Sequence, residues 1–240
     1  MSWLRAHLFV VCLMGVLVGA NAYADTMFVA NLTNSQEVPP TNPTTSAGSP
    51  RPASFGTATF VLNTAQTAMT FSATIFNIDI TGSQTADVND NLVAAHIHAG
   101  PTVAPGVNGP VVWGFFGTPF NDNNPNDVVM TPFATGVGGT FSGKWDAPEG
   151  NNTTLTAQLP NILAGRSYIN FHTTQFTGGE IRGAINAVPE PSALILFSTG
   201  AAAILGLGWF RAFRSRRTRL GVSTSLIATR ASRSPSILQL

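Results

Sequence analysis

Cysteine is almost absent from this sequence. The single one, Cys12, lies in an apolar segment near the start, so the chain cannot form an internal disulfide. This excludes a small disulfide-framed module, and it excludes a cysteine nucleophile in the rest of the chain. Charged residues are also scarce, at 10% of the 240 residues. The polar residues are mainly Thr, Asn and Ser, which together with 23 Gly and 16 Pro favour strands and turns over long helices. The composition therefore predicts an all-β protein.

The body of the chain and its C-terminal part differ in charge. Residues 25–187 hold ten acidic and four basic side chains, whereas residues 211–233 hold seven arginines and no acidic side chain. An acidic body does not attract a phosphate backbone, and the basic run directly follows an apolar stretch, as it does at a membrane surface. We therefore expect no nucleic-acid partner.

Residues 1–24 have the three parts of a secretory signal peptide. Arg5 supplies the positive charge, residues 8–18 supply the apolar core, and residues 22–24 (Ala-Tyr-Ala) supply a cleavage site with small residues. The expected mature chain begins at Asp25 and is exported. The alternative is an uncleaved anchor helix, against which the short apolar core and the two alanines argue.

Near the other end, residues 192–210 form an uncharged run of 19 residues, about enough for a helix to cross the hydrocarbon core of a membrane. Arginines follow at once, at Arg211, Arg214, Arg216, Arg217 and Arg219. By the positive-inside rule the arginines stay in the cytoplasm. The body of the chain is therefore predicted to lie on the opposite side of the inner membrane. Directly before the run stand Pro189, Glu190 and Pro191.

The order of these parts, Pro-Glu-Pro, apolar span and arginine cluster, resembles the PEP-CTERM sorting signal of Gram-negative bacteria, over residues 188–217. The resemblance implies that an exosortase in the inner membrane recognises the motif and releases the protein to the cell surface or the extracellular space. Such systems accompany extracellular polysaccharide production. Residues 218–240 depart from the pattern, since these signals usually stop soon after the arginines, and this Ser-, Thr- and Arg-rich tail is expected to be disordered. The alternative is an ordinary single-span anchor.

Between the two ends, short β-rich runs alternate with turn residues. In residues 69–75, for example, Met, Phe, Ala and Ile alternate with Thr and Ser, as a half-buried strand requires. The predicted strands are residues 27–32, 55–62, 68–76, 92–98, 111–116, 139–145, 167–172 and 180–186. One helical turn is expected within residues 154–163, because Pro160 prevents a longer helix unless it opens a fresh turn. About eight strands in residues 25–187 predict one antiparallel β-sandwich or barrel domain.

A second resemblance rests on five motifs that follow one another in this region. They are EVPP at residues 37–40, HIHAG at 96–100, NGPVV at 108–112, YINFHT at 168–173 and GGEIRG at 178–183. Their succession resembles the CHRD domain, which is named for the repeats of animal chordins and also occurs singly in bacteria. The resemblance implies a β-sandwich similar to that of copper/zinc superoxide dismutase. In chordins the repeats belong to an extracellular binder of growth factors, and no catalytic activity is established for the bacterial members.

The three histidines of this region, His96, His98 and His172, all fall within these motifs. On a strand, His96 and His98 point to the same face about 7 Å apart, and His172 can join them if its strand pairs alongside. One hypothesis is a Zn²⁺ or Cu²⁺ site with Glu180 or Asp90 as a carboxylate ligand. The alternative is that the imidazoles bond to loop backbone and hold one end of the sandwich together. Superoxide dismutase activity is not expected, because three histidines without a cysteine cannot supply the larger ligand set and the disulfide of such enzymes.

Three further charged residues, Glu37, Glu180 and Arg182, are candidates for structural ion pairs. No Gly-x-Ser-x-Gly elbow surrounds a serine, and no phosphate-binding glycine loop is present. We therefore expect an exported, non-enzymatic surface or matrix module that meets extracellular polysaccharide or other surface proteins. The alternative is a metal-binding protein or metalloenzyme built on the three histidines. Binding of a protein ligand, by analogy with chordin, is a third hypothesis.

Overall fold

The computed structural model describes residues 24–189, which form an antiparallel β structure with one short α-helix. The strands are β1 (Thr26–Thr33), β2 (Phe55–Leu62), β3 (Ala68–Phe76), β4 (Leu92–Ala99), β5 (Val111–Phe116), β6 (Val129–Pro132), β7 (Gly138–Asp146), β8 (Ser167–Thr173), β9 (Ile181–Ala184) and β10 (Asn186–Ala187). Seven of the predicted strands are confirmed within two residues at each end. The sequence did not reveal β6, because this short edge strand ends in a proline and has no buried residue.

The eighth predicted strand, residues 180–186, is interrupted at Ile185. The N–H of Ile185 donates to the carbonyl of Ser167 at 3.0 Å, and the residues on its two sides take different partners. β9 pairs with β8, whereas β10 pairs with β1. The predicted strand is therefore two short strands, because the segment passes there from one half of the sheet to the other.

The ten strands of residues 24–189 belong to one sheet, in the order β5-β4-β8-β9-β1-β2-β3-β7-β6, with β10 also on β1. The sheet curls so that its two halves face each other across the core. Trp113 on β5 stacks on Trp145 on β7, with ring centroids 5.5 Å apart and planes at 8°. The predicted all-β antiparallel architecture is confirmed. In place of the two separate sheets of the predicted sandwich, residues 24–189 have one continuous curled sheet, because β9 pairs with β8 and also meets β1.

The half of the sheet formed by β1, β2 and β3 alternates between buried and exposed residues. Phe60 on β2 is fully buried opposite Phe71 on β3, whereas the adjacent Thr59 faces solvent. One face of this half therefore meets the core and the other meets water. Each large apolar side chain on the inner face contributes roughly 1.5–3 kcal/mol to folding through its burial.

The other half of the sheet is buried on both faces. All seven residues of β8 are buried. Ile169 and Phe171 belong to the core, so Tyr168, Asn170 and His172 point to the opposite, outer face of the sheet. Loops cover this outer face. Polar side chains enclosed in this way need hydrogen-bond partners, and their partners define the candidate site described below.

The helix α1 (Leu155–Leu163) is longer than the single turn predicted for this region. Thr154 caps its start, with the side-chain oxygen accepting a hydrogen bond from the N–H of Ala157 at 3.2 Å. The prediction that Pro160 prevents more than one turn unless it opens a fresh turn was wrong, because Pro160 lies in the interior of a nine-residue helix. Because proline has no N–H, the carbonyl of Thr156 receives no helical hydrogen bond from residue 160. Thr156 and Pro160 are both exposed, so water can bond to this carbonyl instead.

Within residues 24–189, no helix has the length and apolar character needed to cross a membrane. The predicted membrane span, the tail after it and all but the last residue of the predicted signal peptide lie outside the described residues. Of the predicted sorting motif, Pro189 is described, whereas Glu190 and Pro191 are not. These parts of the chain stay predictions from the sequence.

Candidate metal site

The pairing of β4 with β8 brings the three histidines of residues 24–189 together. His96 and His98 lie on β4, and His172 lies on β8. In the antiparallel register His96 is opposite Asn170, and His172 is opposite Ala94, two residues from His96. The three imidazoles therefore share the outer face of the sheet, on the side away from the core.

These imidazoles form one compact, buried cluster. Only 4% of His96, 8% of His98 and 6% of His172 is exposed to solvent. One nitrogen from each ring can be chosen so that all three atoms lie within 4.8 Å of one another. Nitrogens bound to a tetrahedral Zn²⁺ at about 2.0–2.1 Å are roughly 3.3 Å apart. A small movement of the rings would therefore close the cluster around an ion.

Each imidazole uses one ring nitrogen to contact a backbone carbonyl in a different covering loop. The contacts are His96 Nε2 with Thr118 O at 3.0 Å, His98 Nδ1 with Gly109 O at 2.8 Å, and His172 Nδ1 with Thr177 O at 2.9 Å. A carbonyl oxygen can only accept a hydrogen bond, so these three ring nitrogens carry the proton.

The second nitrogen of each ring then has a free lone pair, because a neutral imidazole carries a single N–H. Nδ1 of His96 and Nε2 of His172 are 3.1 Å apart. Nε2 of His98 is buried and makes no hydrogen bond. Clustered imidazoles that each bond a carbonyl through one ring nitrogen and leave the other nitrogen free are typical of metal-ligating histidines.

The electrostatic surroundings favour the neutral imidazoles. Burial lowers the pKa of His96 and of His98 to about 4, because the charged imidazolium loses its hydration. The nearby imidazole of His172 lowers the pKa of His96 further, and burial lowers the pKa of His172 itself. At pH 7 the cluster is therefore neutral, which is the state in which imidazoles bind a metal ion.

A glycine makes room for the loop over His96. Gly114 on β5 is the residue opposite His96, and a Cβ atom at Gly114 would overlap the carbonyl of Pro119. Because that atom is absent, the loop after β5 can lie directly on the sheet, and Thr118 reaches the ring of His96.

The two carboxylates considered as further ligands lie outside the histidine cluster. The Glu180 side chain is fully buried, and its oxygens are occupied by hydrogen bonds from Arg51, Ser54 and Thr173. Asp90 accepts a hydrogen bond from Thr85 at 3.0 Å. The structure therefore offers no carboxylate ligand from these two residues.

The three residues predicted to form ion pairs do so, but with different pairing from that suggested by their proximity in the sequence. Glu180 pairs with Arg51, not with Arg182. Arg182 pairs with Glu37, with Nε and Oε2 3.8 Å apart. Arg51 and Glu180 are 129 residues apart in the chain, so no local pattern could indicate this contact.

The family model of the CHRD domain matches residues 28–185. The chain belongs to the CHRD domain family. The resemblance found in the sequence motifs is thereby confirmed for this part of the chain, whereas the PEP-CTERM segment stays a prediction. Searches of the curated proteins and of the solved structures found no match.

Sequence reasoning missed two residues of the CHRD domain that complete the outer face. Asn170 places its Oδ1 atom 3.0 Å from Nε2 of His172. Tyr168 stacks on His98 and also lies under the guanidinium of Arg182. The signal was present in the motif YINFHT, whose alternation puts Tyr, Asn and His on one face of a strand and Ile and Phe on the other.

Proposed function

We propose that the CHRD domain of this chain binds one Zn²⁺ or Cu²⁺ ion through His96, His98 and His172. The observation that carries the proposal is the hydrogen bonding around the three rings. Each ring donates its N–H to a loop carbonyl, the free nitrogens of His96 and His172 lie 3.1 Å apart, and His98 offers a ring nitrogen within 4.8 Å of a nitrogen of each other ring. Imidazole nitrogens suit both ions, and carbonyls that fix the tautomer of a ligand raise its basicity.

The arrangement supports a structural role for the ion and a non-enzymatic module. The ligand nitrogen of His98 has no contact with solvent, and the three rings are almost fully enclosed. A catalytic ion needs a coordination position that substrate can reach. An ion in this cluster would instead join β4 to β8 and secure the three loops whose carbonyls bond to the imidazoles.

The proposed setting is the cell surface or the extracellular space, with inner-membrane anchoring and an exosortase as steps on the way. Support comes from the sequence, in the leader at residues 1–24, the uncharged run at residues 192–210 and the Pro-Glu-Pro motif at residues 189–191. At the surface, the module would meet extracellular polysaccharide or other surface proteins.

Metal binding is tested with protein purified without a histidine tag. After equilibration with micromolar free Zn²⁺ or Cu²⁺, elemental analysis should find about one ion per chain. His96→Ala and His172→Gln should each hold far less metal, whereas Ser72→Ala, at an exposed position of β3, should behave like the parent. Absence of bound metal from the parent protein under these conditions would contradict the proposal.

Sorting is tested by fractionation of Gram-negative cells that contain an exosortase. The parent should be recovered at the cell surface or in the medium. Replacement of residues 189–191 by alanine should leave a longer form in the inner membrane, and Asn186→Ala, at an exposed position just before the motif, should not. Mature parent protein in the cytoplasm would exclude export.

A further inference from the structure

Asn170 lies at the centre of the buried outer face of the sheet. On β8 it is opposite His96 of β4 on one side and opposite Arg182 of β9 on the other. Only 2% of this residue is exposed. Its side-chain amide, which has an acceptor end and a donor end, therefore lies between the histidine cluster and the buried pair formed by Glu37 and Arg182.

The oxygen of this amide faces a ring nitrogen that has no hydrogen to donate. Oδ1 of Asn170 is 3.0 Å from Nε2 of His172, which is itself 3.1 Å from Nδ1 of His96. His172 uses its single N–H, on Nδ1, for the carbonyl of Thr177. Two lone-pair atoms thus lie at hydrogen-bond distance from the unprotonated Nε2, with no proton between them. Such contacts are repulsive unless a cation lies among the three atoms.

The nitrogen of the same amide faces Glu37. A Cβ atom on Gly179 would lie 2.8 Å from Nδ2 of Asn170 and 2.5 Å from Oε1 of Glu37, so these two atoms border the same small space. Oε1 of Glu37 is buried and has no hydrogen-bond partner, so the neighbouring Nδ2 of Asn170 is the donor placed to serve it. A carboxylate oxygen accepts and an amide NH₂ donates. The charge of the Glu37 carboxylate therefore favours the amide orientation in which the nitrogen faces the carboxylate and the oxygen faces the imidazoles.

We infer that Asn170 Oδ1 is the fourth ligand of the ion and that Glu37 is the positioning residue that orients this ligand, an inference that rests on the proposed metal site. The separations of 3.0 and 3.1 Å around Nε2 of His172 are close to the roughly 3.3 Å expected between ligands of a tetrahedral Zn²⁺. Three imidazoles and one amide oxygen, without a thiolate or thioether, favour Zn²⁺ over Cu⁺.

The same arrangement explains why residue 179 is a glycine. Its φ angle is 125°, in the region that favours glycine, and any side chain there would enter the space between Glu37 and Asn170. Within the motif GGEIRG, Gly179 thus keeps the space between Glu37 and Asn170 free.

The ligand role is tested on the full chain by titrating Zn²⁺ against a chromogenic chelator and by recording the visible spectrum with Co²⁺ as a stand-in for Zn²⁺. The parent should bind one ion and give the intense bands of tetrahedral Co²⁺. Asn170→Ala should weaken Zn²⁺ binding by at least about tenfold and change the Co²⁺ spectrum, because water must replace the amide oxygen. Asn170→Asp, which has the same shape and a charged oxygen, should bind Zn²⁺ more tightly than the parent. Ser72→Ala is again the control.

The positioning role is tested by Glu37→Gln in two backgrounds. In the parent we expect Zn²⁺ affinity to fall about tenfold, because the glutamine can turn an NH₂ group toward Asn170 and reverse its amide. In the Asn170→Asp background both side-chain oxygens are equivalent, so Glu37→Gln should no longer weaken binding. Equal weakening in the two backgrounds would show that Glu37 acts only through general stability.

The outcomes separate this inference from the proposed function. If the parent binds none of Zn²⁺, Co²⁺ and Cu²⁺, both the proposed metal site and the fourth ligand are refuted. If Asn170→Ala binds as well as the parent with an unchanged Co²⁺ spectrum, the three-histidine site stands and Asn170 is not a ligand. If circular dichroism shows that Asn170→Ala does not fold, Asn170→Asp decides, since unchanged or weaker Zn²⁺ affinity in that variant would overturn the inference.

Discussion

The ring of Tyr168 lies flat against the imidazole of His98, with centroids 4.6 Å apart and planes at 7°. The guanidinium of Arg182 lies 4.6 Å from the centroid of the same tyrosine ring. Because β8 runs between β4 and β9, Tyr168 joins the histidine cluster to the ion pair of Arg182 with Glu37. The hydroxyl also accepts a hydrogen bond from the N–H of Gly109 at 3.2 Å, in the loop whose carbonyl contacts His98.

Tyr168 therefore contributes through both its ring and its hydroxyl. We expect Tyr168→Phe to reduce the free energy of unfolding by about 1–2 kcal/mol, because the N–H of Gly109 loses its acceptor. Tyr168→Leu should lose at least about 1 kcal/mol more, since the stacking on His98 and the contact with Arg182 both disappear. Urea unfolding measures both values. Equal stability of the two variants would mean that the aromatic contacts contribute nothing.

The second prediction concerns the contribution of the buried ion pair between Arg51 and Glu180 to stability. Arg51→Met should reduce the free energy of unfolding by about 3–5 kcal/mol, because it leaves the fully buried carboxylate of Glu180 without its cation. The double variant Arg51→Met with Glu180→Gln should lose less than the sum of the two single changes. Arg166→Met, at an exposed position, should change stability by less than about 0.5 kcal/mol. Additive losses in urea unfolding would contradict the coupling.

The next prediction concerns how Glu37 makes the free energy of unfolding depend on pH. Burial raises the pKa of Glu37 from 4.5 to about 7, against the opposing effect of Arg182. The folded state of the metal-free protein thus holds this proton more tightly than the unfolded state does, and the resulting stabilisation is complete below pH 4.5 and lost as the pH rises through 7. The difference in unfolding free energy between the parent and Glu37→Gln should therefore fall by up to about 3 kcal/mol between pH 4.5 and pH 8. The measurement is chemical unfolding in the presence of a chelator, and a difference independent of pH would refute the prediction.

The histidine cluster predicts stabilisation by metal. An ion that binds the folded chain alone adds about 2.7 kcal/mol when its free concentration is 100 times the dissociation constant. Zn²⁺ should therefore raise the melting temperature of the parent, and a chelator should reverse the rise. His98→Gln should show little or no response to Zn²⁺. A Zn²⁺-dependent shift of the same size in His98→Gln would place the bound ion elsewhere.

The last prediction concerns Gly114, which leaves room for the loop over His96. Gly114→Ala should reduce the free energy of unfolding by about 1–3 kcal/mol, because its Cβ atom would displace the backbone of Pro119. The same variant should bind Zn²⁺ more weakly, since Thr118 would no longer hold the ring of His96. Gly178→Ala is a matched control, because its Cβ atom would have no neighbour within 4 Å. Parent-like stability of Gly114→Ala would show that the loop is free to move.

Much of the fold and part of the candidate site were determined by the sequence itself. Alternation of apolar and polar residues is a local property of a strand, so the strands and the shared face of His96 and His98 could be predicted without the structure. The motif order also indicated the CHRD family, which the family model confirms. The length of the helix around Pro160 was predicted wrongly, because a helix tolerates an internal proline where the preceding turn faces water, and the sequence does not show which turns do.

Only the tertiary structure decided which distant residues meet. The curled sheet places β8 beside β4 and so brings His172 to His96, and three loops supply the carbonyls that hold the rings. The pairing of Arg51 with Glu180, and the central place of Asn170, likewise depend on contacts between segments far apart in the chain. The physical reason is that the side-chain pattern along a strand specifies a face, whereas the neighbours across that face are specified by packing of the whole sheet.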